Sequence, residues 1–391
     1  MTLAFYLFWI CFVLIVHTYF LYPIILFLAY AGSQVRRDWR YLKSRNNRRA
    51  LRPGSDRLPH ITVIVPLYNE AACLRDKLAN LHQSDYPAEK LEIMLVSDGS
   101  TDGTNEILES VNDPNVKIVF LPERKGKWNA LNIGVANASN EILVLSDGSA
   151  LFDHNALPCL VRHFQDPAVG VVCGALEFHR TLESERTDGV YWGFESMLRL
   201  MEARLGATLG ASGAIYALRR QCYFPLAPNT TMDDFLIPMR ARNAGYRVLY
   251  DPEARATDVA ASSIAGEFSR RVRVAAGSYR ILGSLLTRNL FSFSGFAFFS
   301  HRVLRWLLPF LLLGLLASSG LLIAKPFYRV IFIAQILFCL WAAIGFLFRR
   351  RLQRVRYGLM GYFMLAINAA FLVGFWRFLF GREEATWQRV K

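Results

Sequence analysis

The chain has 391 residues, of which 53% are hydrophobic, and its formal net charge is +14 at pH 7. This composition is too apolar for an ordinary soluble protein. Combined with the positive charge, it indicates a membrane protein with basic cytoplasmic flanks rather than a nucleic-acid binder. The sequence shows neither zinc-finger spacing nor a basic helix with interleaved base-reading residues. The cysteines are scattered without a CxxC pair, so we expect reduced, structural thiols that form no metal site.

The chain opens with an apolar stretch from about Leu3 to Ala31, which is long enough to cross a bilayer. It has no preceding basic residue and no small-residue cleavage site, so we expect residues 1–33 to form a permanent anchor. A basic linker follows at 34–58. The positive-inside rule places this linker in the cytoplasm and the N-terminus outside. A nucleic-acid role for the basic run is the weaker alternative, because the run directly abuts a spanning helix.

Between residues 59 and 280, short apolar runs alternate with helical patterns. The predicted strands are Ile61–Leu67, Glu92–Val96, Val116–Leu121, Glu141–Leu145 and Val169–Gly174. The predicted helices between them are Ala71–His82, Asp102–Val111, Lys127–Ala138 and Asn155–Gln165. This alternation predicts right-handed crossovers and a parallel sheet. No GxGxxG motif follows the first strand, which argues against a dinucleotide site.

The rest of the chain is predicted to lie in or on a membrane. Residues 281–301 are rich in Phe, Ser and Leu and too polar to span, so we expect an amphipathic interfacial segment, with an ordinary linker helix as the alternative. Three spanning segments follow within 302–391, at about Val303–Ile323, Tyr328–Phe348 and Tyr357–Phe380. The loop between the last two is rich in arginine. The positive-inside rule places this loop in the cytoplasm, in agreement with the N-terminal basic run. We therefore expect a multi-pass protein of the plasma (inner) membrane, with both termini outside the cytoplasm.

Charged residues follow the predicted strands where each one ends. Glu70, Asp98 and Asp147 follow the first, second and fourth strands, and Lys127 follows the third. Ligands bind at this edge in open α/β sheets. Carboxylates that meet there repel one another and need a cation, and a nucleotide whose diphosphate carries Mg²⁺ or Mn²⁺ would supply one. Turn and helix-cap chemistry is the alternative, above all for the SDGSTDG segment.

An ordered set of motifs over about residues 60–275 resembles family 2 glycosyltransferases. The motifs are IVPLYNE, LVSDGSTDGT, GKWNALN, LSDGS, GASGAIYALRR, TMDDFL and RRVRV. The flanking helices are similar to those of the membrane-embedded branch that includes hyaluronan, chitin-oligosaccharide, cellulose and poly-N-acetylglucosamine synthases. The resemblance implies an α/β GT-A (Rossmann-like) cytoplasmic domain with four spanning helices and an interfacial helix.

The resemblance also implies a role for each matching residue. The donor-binding set is Pro66, Tyr68, Glu70, Asp98, Lys127, Asp147, Arg270 and Arg273. Asp147 would hold the metal, Mg²⁺ or Mn²⁺, although Ser149 stands where the family has a second aspartate. Asp234, beside Asp233, would be the general base of an inverting reaction, and both also suit a helix N-terminus. Val274 replaces the tryptophan of the processive pattern, which leaves transfer of one or a few sugars open.

The function predicted from these features is transfer of a sugar from a nucleotide sugar, most simply a UDP-sugar. The acceptor would be a glycan or a lipid-linked molecule in cell-surface polysaccharide synthesis. A degenerate, nucleotide-binding scaffold in a synthesis or export complex is the alternative. No nucleic-acid partner is expected. Because four helices are few for a conduit, the resemblance leaves room for a homo-oligomer or a separate exporter.

Overall fold

The computed structural model describes residues 1–44, 58–179, 182–259, 264–285, 292–352 and 358–381. Most of the predicted basic linker, residues 286–291 of the predicted interfacial segment, part of the arginine-rich loop and the C-terminal tail lie outside these ranges. The described part comprises an α/β domain flanked by long apolar helices. All six thiols are free, and those of Cys11, Cys159, Cys173 and Cys222 are buried.

The element bounds are as follows. The strands are β1 (Ile61–Leu67), β2 (Leu91–Asp98), β3 (Val116–Leu121), β4 (Ile142–Leu145), β5 (Leu151–Phe152), β6 (Val169–His179), β7 (Tyr216–Arg219) and β8 (Arg247–Val259). The helices are α1 (Thr2–Val16), α2 (Tyr22–Ser44), α3 (Ala71–His82), α4 (Thr104–Glu109), α5 (Lys127–Asn137), α6 (Ala156–Val161), α7 (Leu182–Arg204), α8 (Asp233–Asn243), α9 (Ile264–Leu285), α10 (Phe293–Ala297), α11 (Leu304–Leu321), α12 (Pro326–Leu347), α13 (Arg349–Leu352) and α14 (Met360–Leu379).

The strands of the described residues form one mixed, eight-stranded sheet in the order β3-β2-β1-β4-β7-β6-β8-β5. The half made of β3, β2, β1 and β4 is parallel, as predicted. In the other half, β7 runs antiparallel to both β4 and β6, and β6 runs parallel to β8. The sheet is therefore mixed rather than wholly parallel. The short strand β7 is not apparent as a separate apolar run, because it follows a glycine-rich segment and has only four residues.

The central strands are buried on both faces, which explains their continuous apolar runs. Along β1 successive side chains point to opposite faces. Ile64 packs with residues of β2 and α5 on one side, and Val63 and Val65 join the second apolar cluster on the other. Pro66 is the one residue of β1 that is not fully buried. This sheet forms a rigid platform whose carboxyl edge carries the candidate site.

Four helical segments among the described residues are long and apolar enough to cross a membrane: Thr2–Arg40, Phe293–Leu321, Pro326–Leu347 and Met360–Leu379. The first and second contain π-helical turns, at His17–Leu21 and Phe298–Val303. The second segment begins ahead of its predicted start, because the Ser292 hydroxyl accepts a hydrogen bond from the Gly295 amide at 3.1 Å and caps the helix there. Residues 293–301, which belong to the predicted interfacial segment, thus continue directly into the apolar helix.

A buried polar cluster ties the α/β domain to the apolar helices, and we call it the membrane joint: Tyr22, Glu195, Glu202, His301 and Arg305. Glu202 Oε1 lies 2.5 Å from Tyr22 Oη and 2.6 Å from His301 Nδ1. Glu195 Oε2 lies 3.1 Å from His301 Nε2 and 2.5 Å from an Arg305 nitrogen. Burial opposes ionisation of Glu195, but His301 and the arginines beside it hold the pKa of its carboxyl well below the ordinary value. The joint therefore couples α7 electrostatically to the helices that contain Tyr22 and His301.

Candidate active site

A cleft of about 400 Å³ opens at the carboxyl edge of β1, β2 and β4. Of the residues predicted to bind a donor, Pro66, Tyr68, Asp98, Lys127 and Asp147 line it. They come from the end of β1, the end of β2, the first turn of α5 and the loop after β4. The parallel strands carry these residues to one edge because all their carboxyl ends point the same way.

Asp98 orders one wall of this cleft. Its side chain is 3% exposed, and its two carboxylate oxygens accept hydrogen bonds from the amides of Lys125, at 2.9 Å, and Gly126, at 2.7 Å. The next residue, Gly99, has φ +65°, and a Cβ there would lie 2.7 Å from the backbone nitrogen of Arg124. Only glycine suits both the conformation and the close approach. Asp98 therefore fixes the loop that leads into α5.

Arg124, which was not predicted as a site residue, lies over Tyr68. Its guanidinium carbon is 3.7 Å from the centre of the tyrosine ring, and both residues line the cleft. The only signal in the sequence is the place of Arg124 in a short basic run directly ahead of Gly126. This cation–π pair therefore forms part of the wall of the cleft.

Glu70 lies beneath the cleft rather than in its lining. It is 1% exposed at the start of α3, and its Oε2 accepts a hydrogen bond from the Cys73 thiol at 2.9 Å. A Cβ on Gly148 would lie 3.2 Å from Glu70 Cγ, so the glutamate packs directly under the turn after Asp147. In this structure Glu70 supports the site from below.

Lys127 joins two of the predicted acidic residues. Its ammonium nitrogen lies 2.8 Å from Asp147 Oδ1 and 3.2 Å from Asp233 Oδ2. Burial opposes the charge, but Asp147 and Asp233 raise the pKa of Lys127 above its ordinary value, so the ammonium stays charged. The metal-binding and catalytic positions predicted from the sequence are thus adjacent, and Lys127, predicted to bind the donor, connects them.

Gly213 makes room for this ion pair. A Cβ at position 213 would lie 3.0 Å from Lys127 Nζ and 3.1 Å from Asp147 Oδ2. Such distances are tighter than ordinary van der Waals contact, so a side chain here would displace the lysine or the aspartate. The glycine-rich segment before β7 therefore shapes the cluster as well as the fold.

Asp233 and Asp234 begin α8, where acidic side chains also favour the helix dipole. The Asp234 carbonyl accepts a hydrogen bond from the Ala211 amide at 2.9 Å, which ties the helix start to the segment before β7. Burial, and then the charge of Asp233, raise the pKa of the Asp234 carboxyl to about 6, against the opposing effect of Lys127. A carboxylate that titrates near neutral pH is suited to accept a proton during catalysis.

The charge balance of the cluster fits a divalent cation. Lys127 pairs with the carboxylates of Asp147 and Asp233, and the charge of Asp234 also acts on it. Hard oxygen ligands of this kind are those that Mg²⁺ and Mn²⁺ prefer. Asp233 Oδ2 is buried and has no hydrogen-bond partner, although it lies close to the ammonium. Among the described residues, no group of three or more His, Cys, Asp or Glu side chains is arranged to hold a metal alone. The residues fit a cation that takes its remaining ligands from a bound diphosphate.

Arg270 and Arg273 lie on α9 and do not line the cleft. The Arg270 guanidinium forms two hydrogen bonds to the Glu267 carboxylate, each of 2.9 Å. The same helix reaches the site at Gly277, which packs against Thr231 and Met232 just ahead of α8. The structure therefore places α9 beside the acidic cluster, and contact of the two arginines with a diphosphate stays a prediction.

Comparison with known proteins gives one family. Residues 62–222 match the model of glycosyl transferase family 2. Poly-beta-1,6-N-acetyl-D-glucosamine synthase of Staphylococcus aureus (strain COL) is 27% identical over 234 residues, which are 58% of this chain and 56% of that protein. An N-acetylglucosaminyltransferase of Mesorhizobium japonicum is 29% identical over 260 residues, or 61% of each chain. The chain thus spans little more than half the length of these relatives.

A solved structure shares the fold. A mannosyltransferase from Pyrobaculum calidifontis, in complex with GDP-Man and Mn²⁺, has a TM-score of 0.65 and 23% identity, and the match covers 92% of this chain and 98% of that one. The likeness extends beyond residues 62–222 to the flanking helices, since the match covers most of both chains. With the cleft and the acidic cluster, these findings show that residues 62–222 match glycosyl transferase family 2, on a GT-A fold that carries four membrane-type helices in the part of the chain the structure describes.

Proposed function

We propose that this glycosyltransferase moves N-acetylglucosamine from UDP-N-acetylglucosamine, with inversion, to a glycan or lipid-linked acceptor in cell-surface polysaccharide synthesis. The sugar is suggested by the printed names of the two curated relatives, a poly-N-acetylglucosamine synthase and an N-acetylglucosaminyltransferase. The observation that carries the reaction type is the cluster of Asp147, Lys127 and Asp233 with Asp234 next to it, at the edge of a cleft.

The proposed roles follow from position and charge. Tyr68 and Asp98 would bind the base and ribose in the cleft, and Asp147 would hold Mg²⁺ or Mn²⁺, whose charge would stabilise the departing diphosphate. Lys127 adds a fixed positive charge at the same place. Asp234 takes the proton of the acceptor hydroxyl as that oxygen bonds to the anomeric carbon, and the bond from this carbon to the diphosphate oxygen breaks on the opposite face. The proton then passes from Asp234 to water.

The cellular setting is part of the proposal. The apolar helices associate the chain with a membrane, and basic residues on both flanks favour a cytoplasmic catalytic domain with both termini outside. Polymer export would use either a homo-oligomer of this chain or a separate exporter. A reporter fused after Lys391 should be active outside the cytosol, and cytosolic activity would contradict this topology.

The reaction is tested by measuring UDP release by the purified full chain in detergent, with and without Mn²⁺. UDP-N-acetylglucosamine is compared with UDP-glucose and GDP-mannose as donors. We expect release from the first donor, loss of at least about 100-fold in Asp234→Asn, and little change in Glu109→Gln, which alters an exposed acid on α4. Absence of release from any donor, together with unchanged cellular product in Asp234→Asn, would favour the non-catalytic scaffold instead.

A further inference from the structure

A fully buried lysine lies beneath the Asp147 loop. Lys77 on α3 is 0% exposed, its Nζ is 2.8 Å from Ser146 Oγ, and it also donates a hydrogen bond to the carbonyl of Ala150. The ammonium lies 4.2 Å from the centre of the Phe152 ring. Burial of a charge is unfavourable unless it is well hydrogen-bonded, and neither of these hydrogen bonds is made to a carboxylate. Lys77 is therefore an unusual residue to find buried beneath the Asp147 loop.

The two acceptors of Lys77 lie on either side of Asp147 in the sequence. Ser146 precedes Asp147 and is 1% exposed, and Ala150 closes the turn that follows and is 0% exposed. A Cβ on Gly148, between them, would lie 3.0 Å from Leu67 Cδ2 and 3.2 Å from Glu70 Cγ. The loop is therefore held at both ends by the side-chain nitrogen of one lysine and is packed from below at its middle.

The same lysine reaches the other wall of the acidic cluster through Ser146. The Ser146 hydroxyl donates a hydrogen bond to the Ala214 carbonyl at 2.9 Å. Ala214 follows Gly213, the glycine that lies against both Lys127 and Asp147. Lys77, Ser146 and Ala214 thus form a chain of hydrogen bonds in which each bond polarises the next. These hydrogen bonds hold the Asp147 loop and the segment before β7 in a fixed relative position.

We propose that Lys77 is a positioning residue, which holds the Asp147 loop in the geometry that binds the metal–diphosphate part of the donor. This inference rests on the proposed function. Lys77 does not line the cleft and touches no reacting group, so it acts only through Ser146 and Ala150.

Two physical effects of Lys77 predict opposite results when it is removed. If the lysine acted only as a nearby positive charge, Lys77→Met would relieve repulsion of the metal and strengthen Mn²⁺ binding at Asp147. If it positions the loop, the same variant leaves the Ser146 hydroxyl and the Ala150 carbonyl without their donor, and binding weakens. The sign of the change therefore separates positioning from simple electrostatics.

The test uses the full chain in detergent and two readouts. Binding of Mn²⁺ in the presence of UDP is followed by the electron paramagnetic resonance of free Mn²⁺, and UDP release from UDP-N-acetylglucosamine is followed as a function of Mn²⁺ concentration. For Lys77→Met we expect about tenfold weaker Mn²⁺ binding with UDP, as loss of a charged hydrogen bond predicts. The rate at saturating Mn²⁺ should stay within about threefold of wild type, because the reacting groups are intact.

Two further variants separate this role from general damage. Leu81→Ala truncates another fully buried side chain of α3, away from the loop, and should lower the melting temperature without changing Mn²⁺ binding. Ser146→Ala removes one acceptor, so adding Lys77→Met to it should have a smaller effect than in the wild type.

The outcomes are distinct. Unchanged or tighter Mn²⁺ binding in Lys77→Met, or equal weakening in Leu81→Ala, would overturn the positioning role. A wild-type chain that neither binds Mn²⁺ with UDP nor releases UDP from any donor would overturn the proposed function, and the inference with it. Weakened binding in Lys77→Met alone, with a retained maximal rate, would support both.

Discussion

The adjacent acids Asp233 and Asp234 at the start of α8 allow a prediction of how activity depends on pH. Burial and the Asp233 charge raise the pKa of Asp234 to about 6. If Asp234 is the base, it acts only when ionised, so UDP release should fall about tenfold for each pH unit below about pH 6. Asp233→Asn removes the like charge with little change in volume. It also frees Lys127, which lies 3.2 Å from Asp233, to interact more strongly with Asp234. Both effects lower the pKa of Asp234, so the acid limb of the pH profile should move to lower pH.

The expected size follows from the ordinary carboxyl pKa of 3.8. The elevation in the folded chain is about two units, and burial, which the variant leaves in place, is its largest cause. Asp233 is the next largest cause, so we take its effect as on the order of one unit, which corresponds to about 1.4 kcal/mol. We expect the midpoint of the acid limb to move from about pH 6 to about pH 5.

The assay is kcat/KM for UDP release at saturating Mn²⁺ over about pH 4–9, because this ratio reports the essential groups of the free enzyme. The level of activity in Asp233→Asn is not the readout, since Asp233 lies in the cluster itself. Asp76→Asn, which changes an exposed acid on α3, should leave the limb in place. A limb that stays at the same pH in Asp233→Asn, or moves upward, would refute the assignment of Asp234 as the base whose pKa Asp233 raises.

Three further predictions concern the stability of the chain and its activity. Because the pKa of Asp234 in the folded chain exceeds 3.8, ionisation of this residue opposes folding increasingly from about pH 4 to pH 6. Asp234→Asn should therefore stabilise the chain by about 1–3 kcal/mol at pH 8 and not at pH 4. Thermal melting at the two pH values measures this difference. Gly213→Ala should reduce UDP release at least about tenfold with little loss of stability, because the added methyl would crowd Lys127 and Asp147. Glu195→Leu should destabilise the chain by about 3–5 kcal/mol in a detergent melt, since it removes the carboxylate that pairs with Arg305 and with one ring nitrogen of His301.

Each of these has a matched control. Asp76→Asn should not raise the melting temperature at pH 8, and equal stabilisation there would remove the link to burial of Asp234. Gly193→Ala adds a methyl where nothing lies within 4 Å and should leave activity unchanged. Glu109→Gln, which alters an exposed acid on α4, should barely change the melting temperature, and an equally mild effect of Glu195→Leu would mean that the membrane joint contributes little.

Much of the fold was predictable because local pattern and burial agree. The parallel strands β1–β4 are short apolar runs bounded by polar turns, and β1, β3 and α3 match their predicted bounds. The start of the second apolar segment was harder to predict. The Ser292 cap and the π-helical turn that follows place it earlier than hydropathy alone indicates, because hydropathy averages over the capping residue.

The site was partly predictable for a similar reason. Pro66, Tyr68, Asp98 and Asp147 could be assigned to one sheet edge, since parallel strands in sequence order share it. The positions of Arg124 over Tyr68 and of Lys77 under the Asp147 loop could not. Both depend on long side chains from neighbouring elements, whose direction is set by packing rather than by spacing.

The sequence by itself indicated the family that residues 62–222 match, the parallel half of the sheet and which acids lie at its edge, because each depends on residue type, order and period. Only the tertiary structure decided that Lys127 lies between Asp147 and Asp233, that Gly213 leaves room for this pair, and that Glu195 meets His301 at the membrane joint. These contacts join segments that are far apart in the chain. Their geometry depends on how the antiparallel β7, α7 and α8 pack against the parallel strands, and no local pattern contains that information.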